Sequence, residues 1–299
     1  MPSLTGLLSR AFDRVSDTLE RADVLDSTAD AVDSVARKLP SGPVKDALSG
    51  SAIGHPAHPV LVQVPIGAFL SASFLDVLPG EATAARRLIG LGVLSSVPAS
   101  LAGLSDWSDT GGAERRVGLV HMTLNSLALG LYGASWWARR DGRSGTAGPV
   151  LAFAGLTVVS ASGWLGGHLA YALGVGVDTT AFQKPPTTWT DALPEVNLTE
   201  GRPVVVTVED TPVLVVRLNG QLHAIGDRCT HRGGPLHEGT ITDGCVECPW
   251  HQSEFDLRDG AVVRGPATRP EPVFLTRVVD GLVQVRRDEE RSLRLNPTS

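Results

Sequence analysis

The sequence predicts two domains of different fold class, a four-helix transmembrane bundle (all-α) followed by an all-β antiparallel sandwich. Four long apolar segments lie between residues 58 and 178. From residue 196 onward, apolar residues recur with the period of two that is typical of strands. Two short motifs, each holding one Cys and one His, lie among these strands. At 299 residues, the chain is long enough for both domains.

Residues 1–43 are predicted to form an amphipathic N-terminal helical region. Apolar residues such as Leu4, Leu8 and Phe12 recur at steps of three and four, aspartates line the other side, and Pro40 ends the pattern. Charges occur throughout, so a cleaved signal peptide is not expected. The region either packs against the rest of the chain, or lies on a membrane surface or self-associates, and the sequence leaves these roles open.

Residues 50–178 are predicted to form the four-helix transmembrane domain. The apolar segments lie near residues 59–78, 88–106, 117–138 and 149–177. Each has roughly 18–25 residues or more, about the number needed to cross a ~30 Å hydrocarbon layer. Charged residues fall in the breaks between the segments, and glycines are frequent inside them. The sequence therefore predicts an integral membrane protein in contact with the lipid bilayer.

Several histidines fall at one side of this predicted bundle. His58 lies just before the first segment, His121 lies about one turn into the third, and His168 lies one or two turns from the end of the fourth. Because four helices return the chain to its starting side, these residues are expected in one layer. Imidazoles from neighbouring helices are able to ligate a b-type haem or a second metal ion. Histidines more often serve helix packing than ligation, so the structural role is favoured and the ligand role stays open.

Residues 179–195 are predicted to be a Pro-containing linker, and residues 196–299 the all-β domain. Extended, semi-rigid backbone is typical of such Pro-containing segments. The predicted strands cover residues 204–208, 213–218, 222–225, 273–275 and 282–285. The tight-turn pairs between strands are Asn219-Gly220, Asp243-Gly244, Asp259-Gly260 and Asp280-Gly281.

The two Cys/His motifs give the strongest functional indication. Cys229-Thr230-His231 is followed, after sixteen residues, by Cys248-Pro249-Trp250-His251. Two thiolates and two imidazoles can hold a 2Fe–2S cluster, with both thiolates on one iron and both imidazoles on the other. The same residue types suit a structural zinc ion. The spacing and the flanking residues favour the cluster.

Together with Gly233-Gly234-Pro235-Leu236 and Ser253, these motifs resemble the Rieske family over roughly residues 196–287. The resemblance implies a Rieske-type 2Fe–2S cofactor. It also implies four cluster and metal ligands, which are Cys229, His231, Cys248 and His251.

The loop residues make the sequence more similar to Rieske ferredoxins than to the Rieske subunits of quinol–cytochrome c reductases. Gly234 and Trp250 stand where those subunits have two disulfide-forming cysteines. Ser253 keeps a hydroxyl that hydrogen-bonds the cluster in those subunits, whereas Phe255 lacks the second hydroxyl. Fewer donors imply a potential toward the lower end of the roughly −150 to +300 mV Rieske range. Gln252 departs from the family, which usually has Gly there.

The segment Gly54-His55-Pro56-x-His58-Pro59 resembles a second family over roughly residues 50–178. This is a bacterial four-helix membrane family without assigned function, and its members are sometimes fused to Rieske modules.

These observations predict a membrane-anchored Rieske electron-transfer protein that passes single electrons between a redox partner, expected to be a protein, and the membrane side. An electron carrier is favoured over a stand-alone oxidoreductase. The alternatives are an iron–sulfur or haem-linked membrane oxidoreductase subunit acting on a quinol or similar substrate, and a redox-sensing or assembly subunit. With a net charge of −6 and no basic stripe, a nucleic-acid partner is not expected.

The predicted location is the bacterial plasma membrane. A cytoplasmic Rieske domain is the working hypothesis, because iron–sulfur clusters are normally assembled in the cytoplasm. The sequence specifies neither the electron donor and acceptor nor the oligomeric state.

Overall fold

A computed structural model describes residues 4–38, 40–140 and 145–289 of the chain. Residues 1–3 and 290–299, at the ends of two predicted domains, lie outside the described residues. The chain divides into two compact units. Residues 1–39 and 57–175 form the helical unit, and residues 40–56 and 176–299 form the β unit.

Seven helices form the described part of the helical unit. They are α1 (Leu4–Glu20), α2 (Asp26–Ala36), α4 (Ala57–Leu61), α5 (Gln63–Leu75), α6 (Ala82–Trp107), α7 (Gly112–Ala138) and α8 (Ala147–Tyr171). Four segments are long and apolar enough to cross a membrane: Ala57–Leu75, Ala82–Trp107, Gly112–Ala138 and Ala147–Tyr171. The prediction of four long apolar helices is therefore confirmed.

The helices do not begin and end where the apolar segments do. Helix α6 begins at Ala82, six residues before the predicted segment, and α8 ends at Tyr171 rather than near residue 177. Polar residues extend α6 beyond its apolar segment, and apolar residues continue past the end of α8, so hydropathy does not mark the ends of these helices.

Glycines in the helical unit make room for aromatic rings of neighbouring helices. A Cβ placed on Gly92 would lie 2.4 Å from Phe69, and one placed on Gly118 would lie 2.4 Å from Trp107. Small residues thus provide the close helix packing that membrane bundles require.

The N-terminal helices pack against α7 through paired charges. Arg116 donates to both carboxylate oxygens of Asp26 at 2.7 and 2.6 Å, and Arg115 lies 3.0 Å from Asp33. Ala29 is fully buried between these pairs and packs near Trp107. These contacts support the packing role for the amphipathic region.

A buried ion pair joins α7 to the end of α5. Arg139 donates to the two carboxylate oxygens of Asp76 at 2.6 and 2.7 Å. The two side chains are only 5% and 1% exposed. Ser135 accepts a further hydrogen bond from Arg139 Nε at 3.2 Å. The sequence shows only that charged residues fall in the breaks between the apolar segments, and no sequence pattern predicts this buried pair.

The β unit consists of antiparallel strands and one short helix, α3 (Pro43–Ser49). Its strands are β1 (Thr190–Pro194), β2 (Val204–Val208), β3 (Thr211–Leu218), β4 (Gln221–Gly226), β5 (Thr240–Thr242), β6 (Cys245–Glu247), β7 (Glu254–Asp256), β8 (Val262–Arg264), β9 (Val273–Val279) and β10 (Leu282–Arg287). One sheet has the order β1-β10-β9-β4-β3-β2 and the other β5-β6-β7-β8. The predicted all-β antiparallel class is confirmed.

The predicted strands are present, and the shorter ones were missed. Strand β2 has the predicted bounds, and both residues of the Asn219-Gly220 turn have positive φ, as a tight hairpin turn requires. Strands β5 to β8 have three residues each, too few for a periodic pattern to be recognised. The last residues of the predicted linker form β1, which pairs with β10.

Replacing Asp76 by Asn should destabilise the helical unit by about 3–5 kcal/mol, because it leaves the buried Arg139 charge uncompensated. The free energy of unfolding in detergent measures this loss. The double variant Asp76→Asn/Arg139→Met should recover much of it. As a control, Arg87→Gln changes an exposed arginine and should have little effect. Equal stabilities of Asp76→Asn and the parent chain would contradict a structural role for the pair.

Candidate iron–sulfur site

Two loops of the β unit carry the four predicted ligands. The first loop follows β4, and the second connects β6 to β7. Strands β6 and β7 pair with Glu247 opposite Glu254, and Cys248 N donates to Ser253 O at 2.8 Å. The short hairpin therefore holds the second Cys/His motif at its tip.

The first loop is closed by its own backbone. Cys229 N donates to Gly234 O at 2.9 Å, and Gly233 N donates to Cys229 O at 2.8 Å. Gly233 has a φ of +77°, a left-handed conformation that glycine adopts without strain. The left-handed backbone of the loop thus explains why a glycine occurs at position 233 of the motif.

The two cysteines lie inside the core of the unit. Cys229 and Cys248 are each 1% exposed and pack with Leu236, Phe255 and Leu257. The sulfur atoms are therefore shielded from water, which suits thiolates that must keep their metal.

The two imidazoles lie side by side and closer to the surface. The ring centroids of His231 and His251 are 5.0 Å apart, and the ring planes are at 88°. Both residues are partly exposed, and the neighbouring Trp250 is 56% exposed. The thiol pair and the imidazole pair thus occupy the inner and outer parts of one site.

The donor set and the surrounding backbone fit a 2Fe–2S cluster. A Cβ placed on Gly234 would lie 2.8 Å from Cys248 Sγ and 3.1 Å from the Trp250 ring, so the two loops meet closely here. Two thiols and two imidazoles are the donors that such a cluster takes, with the thiolates on one iron and the imidazoles on the other.

The two thiols influence each other directly. The hydrogen bond with Cys229 lowers the pKa of Cys248 to about 7, against the opposing effect of burial and with help from the N–H groups of Trp250 and His251. The same hydrogen bond, and then burial, raise the pKa of Cys229. The site thus favours a thiolate at Cys248, the form that binds iron.

A buried carboxyl group lies behind the first loop. Glu271 is 2% exposed, and its Oε1 accepts a hydrogen bond from Thr230 N at 2.6 Å. Burial raises the pKa of Glu271 well above its ordinary value, because it penalises the charged form. Glu271 stands between two prolines in the sequence, where no pattern indicates a role beside the cluster.

Ser253 and Phe255 occupy the positions expected to tune the cluster. Ser253 is fully buried, and its Oγ accepts a hydrogen bond from Ala267 N at 2.9 Å. A hydroxyl that accepts one bond still has its own proton to donate. Phe255 is fully buried in the core around the cysteines.

Two of the three predicted histidines of the helical unit come together. The His58 and His121 ring centroids are 6.3 Å apart. Their Nδ1 atoms lie 2.8 Å from the carbonyl oxygens of Ala99 and Ser162, respectively. The third, His168, is engaged elsewhere, with its Nε2 2.8 Å from a carboxylate oxygen of Glu20.

Two family models match the chain. The Rieske [2Fe-2S] domain matches residues 188–283. The family described as Predicted membrane protein (DUF2231) matches residues 54–179. The two matched regions correspond to the strands with their ligand loops and to the four long apolar helices.

Ferredoxin subunits are among the similar curated proteins. The anthranilate 1,2-dioxygenase ferredoxin subunit of Burkholderia cepacia is 42% identical over 87 residues, which are 29% of this chain and 81% of that protein. The 3-phenylpropionate/cinnamic acid dioxygenase ferredoxin subunit of Photorhabdus laumondii is 36% identical over 86 residues, which are 28% of this chain and 82% of that protein.

Solved structures of ferredoxins match about a third of the chain. The ferredoxin of carbazole 1,9a-dioxygenase from Nocardioides aromaticivorans IC177 is 28% identical, with a TM-score of 0.32, and covers 33% of this chain and 97% of its own. A complex of reduced oxygenase and oxidised ferredoxin of carbazole 1,9a-dioxygenase contains a chain that is 32% identical, with a TM-score of 0.32, covering 33% of this chain and 94% of its own.

Since the identity to the Burkholderia subunit extends over most of that protein's length, the match is one of family rather than of motif alone. The chain belongs to the Rieske [2Fe-2S] family of electron-transfer domains, here joined to a DUF2231 predicted membrane domain of four long apolar helices.

Proposed function

We propose that this protein is a membrane-anchored Rieske ferredoxin, which carries single electrons between a protein redox partner and a donor or acceptor at the membrane. One observation carries the proposal. Two adjacent, partly exposed imidazoles, 5.0 Å apart, lie beside two thiols that are 1% exposed. When bound by such a set, a 2Fe–2S cluster supplies a one-electron couple.

The ligands have separate roles in this proposal. Cys229 and Cys248 hold one iron in the dry core, where the backbone N–H groups around Cys248 stabilise its thiolate. His231 and His251 hold the other iron and bring the site closest to the surface. Electrons enter and leave at this imidazole edge, since it offers the shortest path to a docked protein.

The kind of partner is inferred from the relatives. The similar ferredoxins are named as components of dioxygenase systems, and one similar structure is a complex between a ferredoxin and an oxygenase. We infer that a redox protein docks on the imidazole edge of this chain. The exposed Trp250 beside His251 offers an aromatic contact of the type enriched in protein interfaces.

The expected potential is low for a Rieske centre. Ser253 has a hydroxyl proton to donate to the cluster, but Phe255 has no hydroxyl to stabilise the reduced form. A midpoint potential near the upper end of the roughly −150 to +300 mV range would contradict this account of tuning.

The four long apolar helices and the membrane-domain match support an integral membrane protein. We place it in a bacterial plasma membrane with the Rieske domain on the cytoplasmic face, where iron–sulfur clusters are normally assembled. Protection of the β unit from protease added to intact cells fits this orientation, and cleavage from outside would overturn it.

A second candidate function involves the His58–His121 pair. Each Nδ1 lies within hydrogen-bond distance of a carbonyl, an arrangement that leaves Nε2 with the lone pair for a ligand. Such a pair supports a b-type haem or a metal ion, and hence a haem-linked membrane oxidoreductase subunit. The same hydrogen bonds also join helices without any cofactor, and Asn125 lies 3.1 Å from His121 Nε2.

Replacing Cys248 by Ser should abolish the cluster, because Ser supplies no thiolate for iron. Iron and acid-labile sulfide content, together with low-temperature electron paramagnetic resonance of the reduced full chain, measure the loss. Cys245→Ser is the matched control, since Cys245 lies three residues earlier on β6 and is no ligand. Retention of a Rieske signal in Cys248→Ser, or its loss in Cys245→Ser, would contradict the assignment.

The haem candidate predicts a haem absorption band in the purified full chain. This band should disappear in His58→Ala and His121→Ala and persist in His168→Ala, because His168 bonds to Glu20 instead. A spectrum with iron–sulfur bands alone would remove haem from the account, and metal analysis of the same samples would then test the metal alternative.

Glu271→Gln should flatten the pH dependence of stability. The raised pKa of Glu271 means that the folded state binds more protons than the unfolded state above about pH 4.5. The stability of the parent chain is therefore lost progressively as pH rises from there through the folded pKa. The variant lacks this loss, and its amide oxygen can still accept from Thr230 N.

The midpoint temperature at which the cluster absorption disappears, compared between about pH 5 and about pH 8, measures this difference. Glu209→Gln, at an exposed turn, should keep the parent profile. Parallel profiles for Glu271→Gln and the parent would show that the carboxyl is ionised in the folded state.

A further inference from the structure

The β unit includes the two chain segments that adjoin the apolar helices. Residues 40–56 precede α4, which begins at Ala57, and residues 176–183 follow the last long helix. Each of these segments hydrogen-bonds to a different part of the cluster-binding site. The Rieske unit is therefore discontinuous in sequence, with the apolar helices inserted between its two parts.

The segment after the last helix holds the first ligand loop. Thr179 Oγ1 donates to Cys229 O at 2.8 Å, and Thr179 N donates to Thr230 O at 3.2 Å. Asp178 fixes the adjoining turn, because its Oδ1 accepts from both the N–H and the hydroxyl of Thr180 at 2.8 Å. The carbonyls of Cys229 and Thr230 thus both accept hydrogen bonds from Thr179.

The segment before the first long helix holds the second ligand loop. Ser41 Oγ donates to Gln252 Oε1 at 2.6 Å, one residue after the ligand His251. Asp46 Oδ1 accepts from Gly265 N at 2.9 Å. This contact is close, because a Cβ placed on Gly265 would lie 2.2 Å from Ser51 Oγ.

The contact with Ser41 accounts for an unusual residue. Gln252 has a φ of +63°, in the left-handed region that is unfavourable for a residue other than glycine. A glycine, which the Rieske resemblance leads one to expect, would avoid that cost. The side chain of Gln252 offsets it with a bond that glycine cannot form, while Arg264 Nε donates to the Gln252 carbonyl at 3.2 Å.

We propose that Thr179 and Gln252 are positioning residues, each of which ties one ligand loop to one of the two segments that continue into the apolar helices. The inference rests on the proposed function, since it takes the two loops to be cluster ligands. Thr179 restrains the Cys229 loop, and Gln252 restrains the His251 loop. Together these bonds keep the thiolates and imidazoles in the same positions in the oxidised and the reduced protein.

The role of Gln252 is tested with Gln252→Ala, Ser41→Ala and the double variant. Alanine meets the same left-handed strain as glutamine, so the variant removes only the side-chain bond. Hydrogen exchange of the backbone amides of residues 250–253 in the intact cluster-loaded chain should become about twofold to tenfold faster in each single variant. The double variant should be no faster than the singles, because both remove the same bond.

Ser34→Ala is the matched control, since the Ser34 hydroxyl bonds within its own helix to Ala31 O at 2.7 Å. It should leave exchange in the ligand loop unchanged. Unchanged exchange in both Gln252→Ala and Ser41→Ala, or effects that add in the double variant, would overturn the Gln252 part of the proposal.

The role of Thr179 is tested with two variants. Thr179→Val keeps the shape of the side chain and removes the hydroxyl, whereas Thr179→Ser keeps the hydroxyl. Thr179→Val should shift the paramagnetic resonance g values and speed the loss of iron from the reduced chain to a chelator about twofold to tenfold. Thr179→Ser should behave as the parent. Equal behaviour of Val and Ser variants would overturn this part.

The iron and sulfide content of the parent chain distinguishes a failure of the proposed function from a failure of the positioning roles alone. A parent chain without cluster would refute the proposed function itself. A loaded parent chain whose variants exchange and release iron at the parent rate would refute only the positioning roles.

Discussion

The close approach of two loops, each offering one thiol and one imidazole, is the contact on which the β unit depends. Gly234 of the first loop lies directly against Cys248 and Trp250 of the second, with no room for a side chain. Because the loops meet there, both cysteines are enclosed by the core and both imidazoles remain at its edge. The same packing that stabilises the fold thereby sorts the ligands into an inner pair and an outer pair.

Several polar side chains of the helical unit form bonds between helices. His58 reaches the carbonyl of Ala99 in α6, and His121 reaches that of Ser162 in α8. Arg139 and Asp76 neutralise each other where both are almost fully buried. In an apolar medium an unpaired polar group costs several kcal/mol, so these bonds are sufficient reason for the residues to be present. Ligand binding by the histidines therefore has to be established by spectra rather than by their position alone.

The fold class could be predicted from sequence because it has a local pattern, and the candidate cluster ligands have one too. The four ligands are contained in two short motifs, and the long helices and the longer strands have clear apolar periods. The missed features depend on residues that are far apart in the chain. Glu271 contacts Thr230, and Ser41 contacts Gln252 across most of the sequence. The periodicity of apolar residues within a short stretch of sequence gives no information about such distant contacts.

Gln252 shows which kind of structural role the sequence alone does not predict. The sequence marks it as a departure from the Rieske pattern, but not as a residue that keeps the left-handed backbone and uses its side chain elsewhere. Likewise, the proline-containing segment predicts extended structure without predicting that its end becomes β1 or that Thr179 supports the Cys229 loop. Local conformation follows from residue type, whereas these roles follow from tertiary contacts.

The most direct test of the central claim is pulsed paramagnetic resonance on the reduced full chain, combined with iron and sulfide analysis. The account predicts two irons and two sulfides per chain, with magnetic coupling to nitrogens of two imidazoles on one iron. Stoichiometric zinc, or an iron–sulfur signal without coupling to imidazole nitrogen, would contradict it.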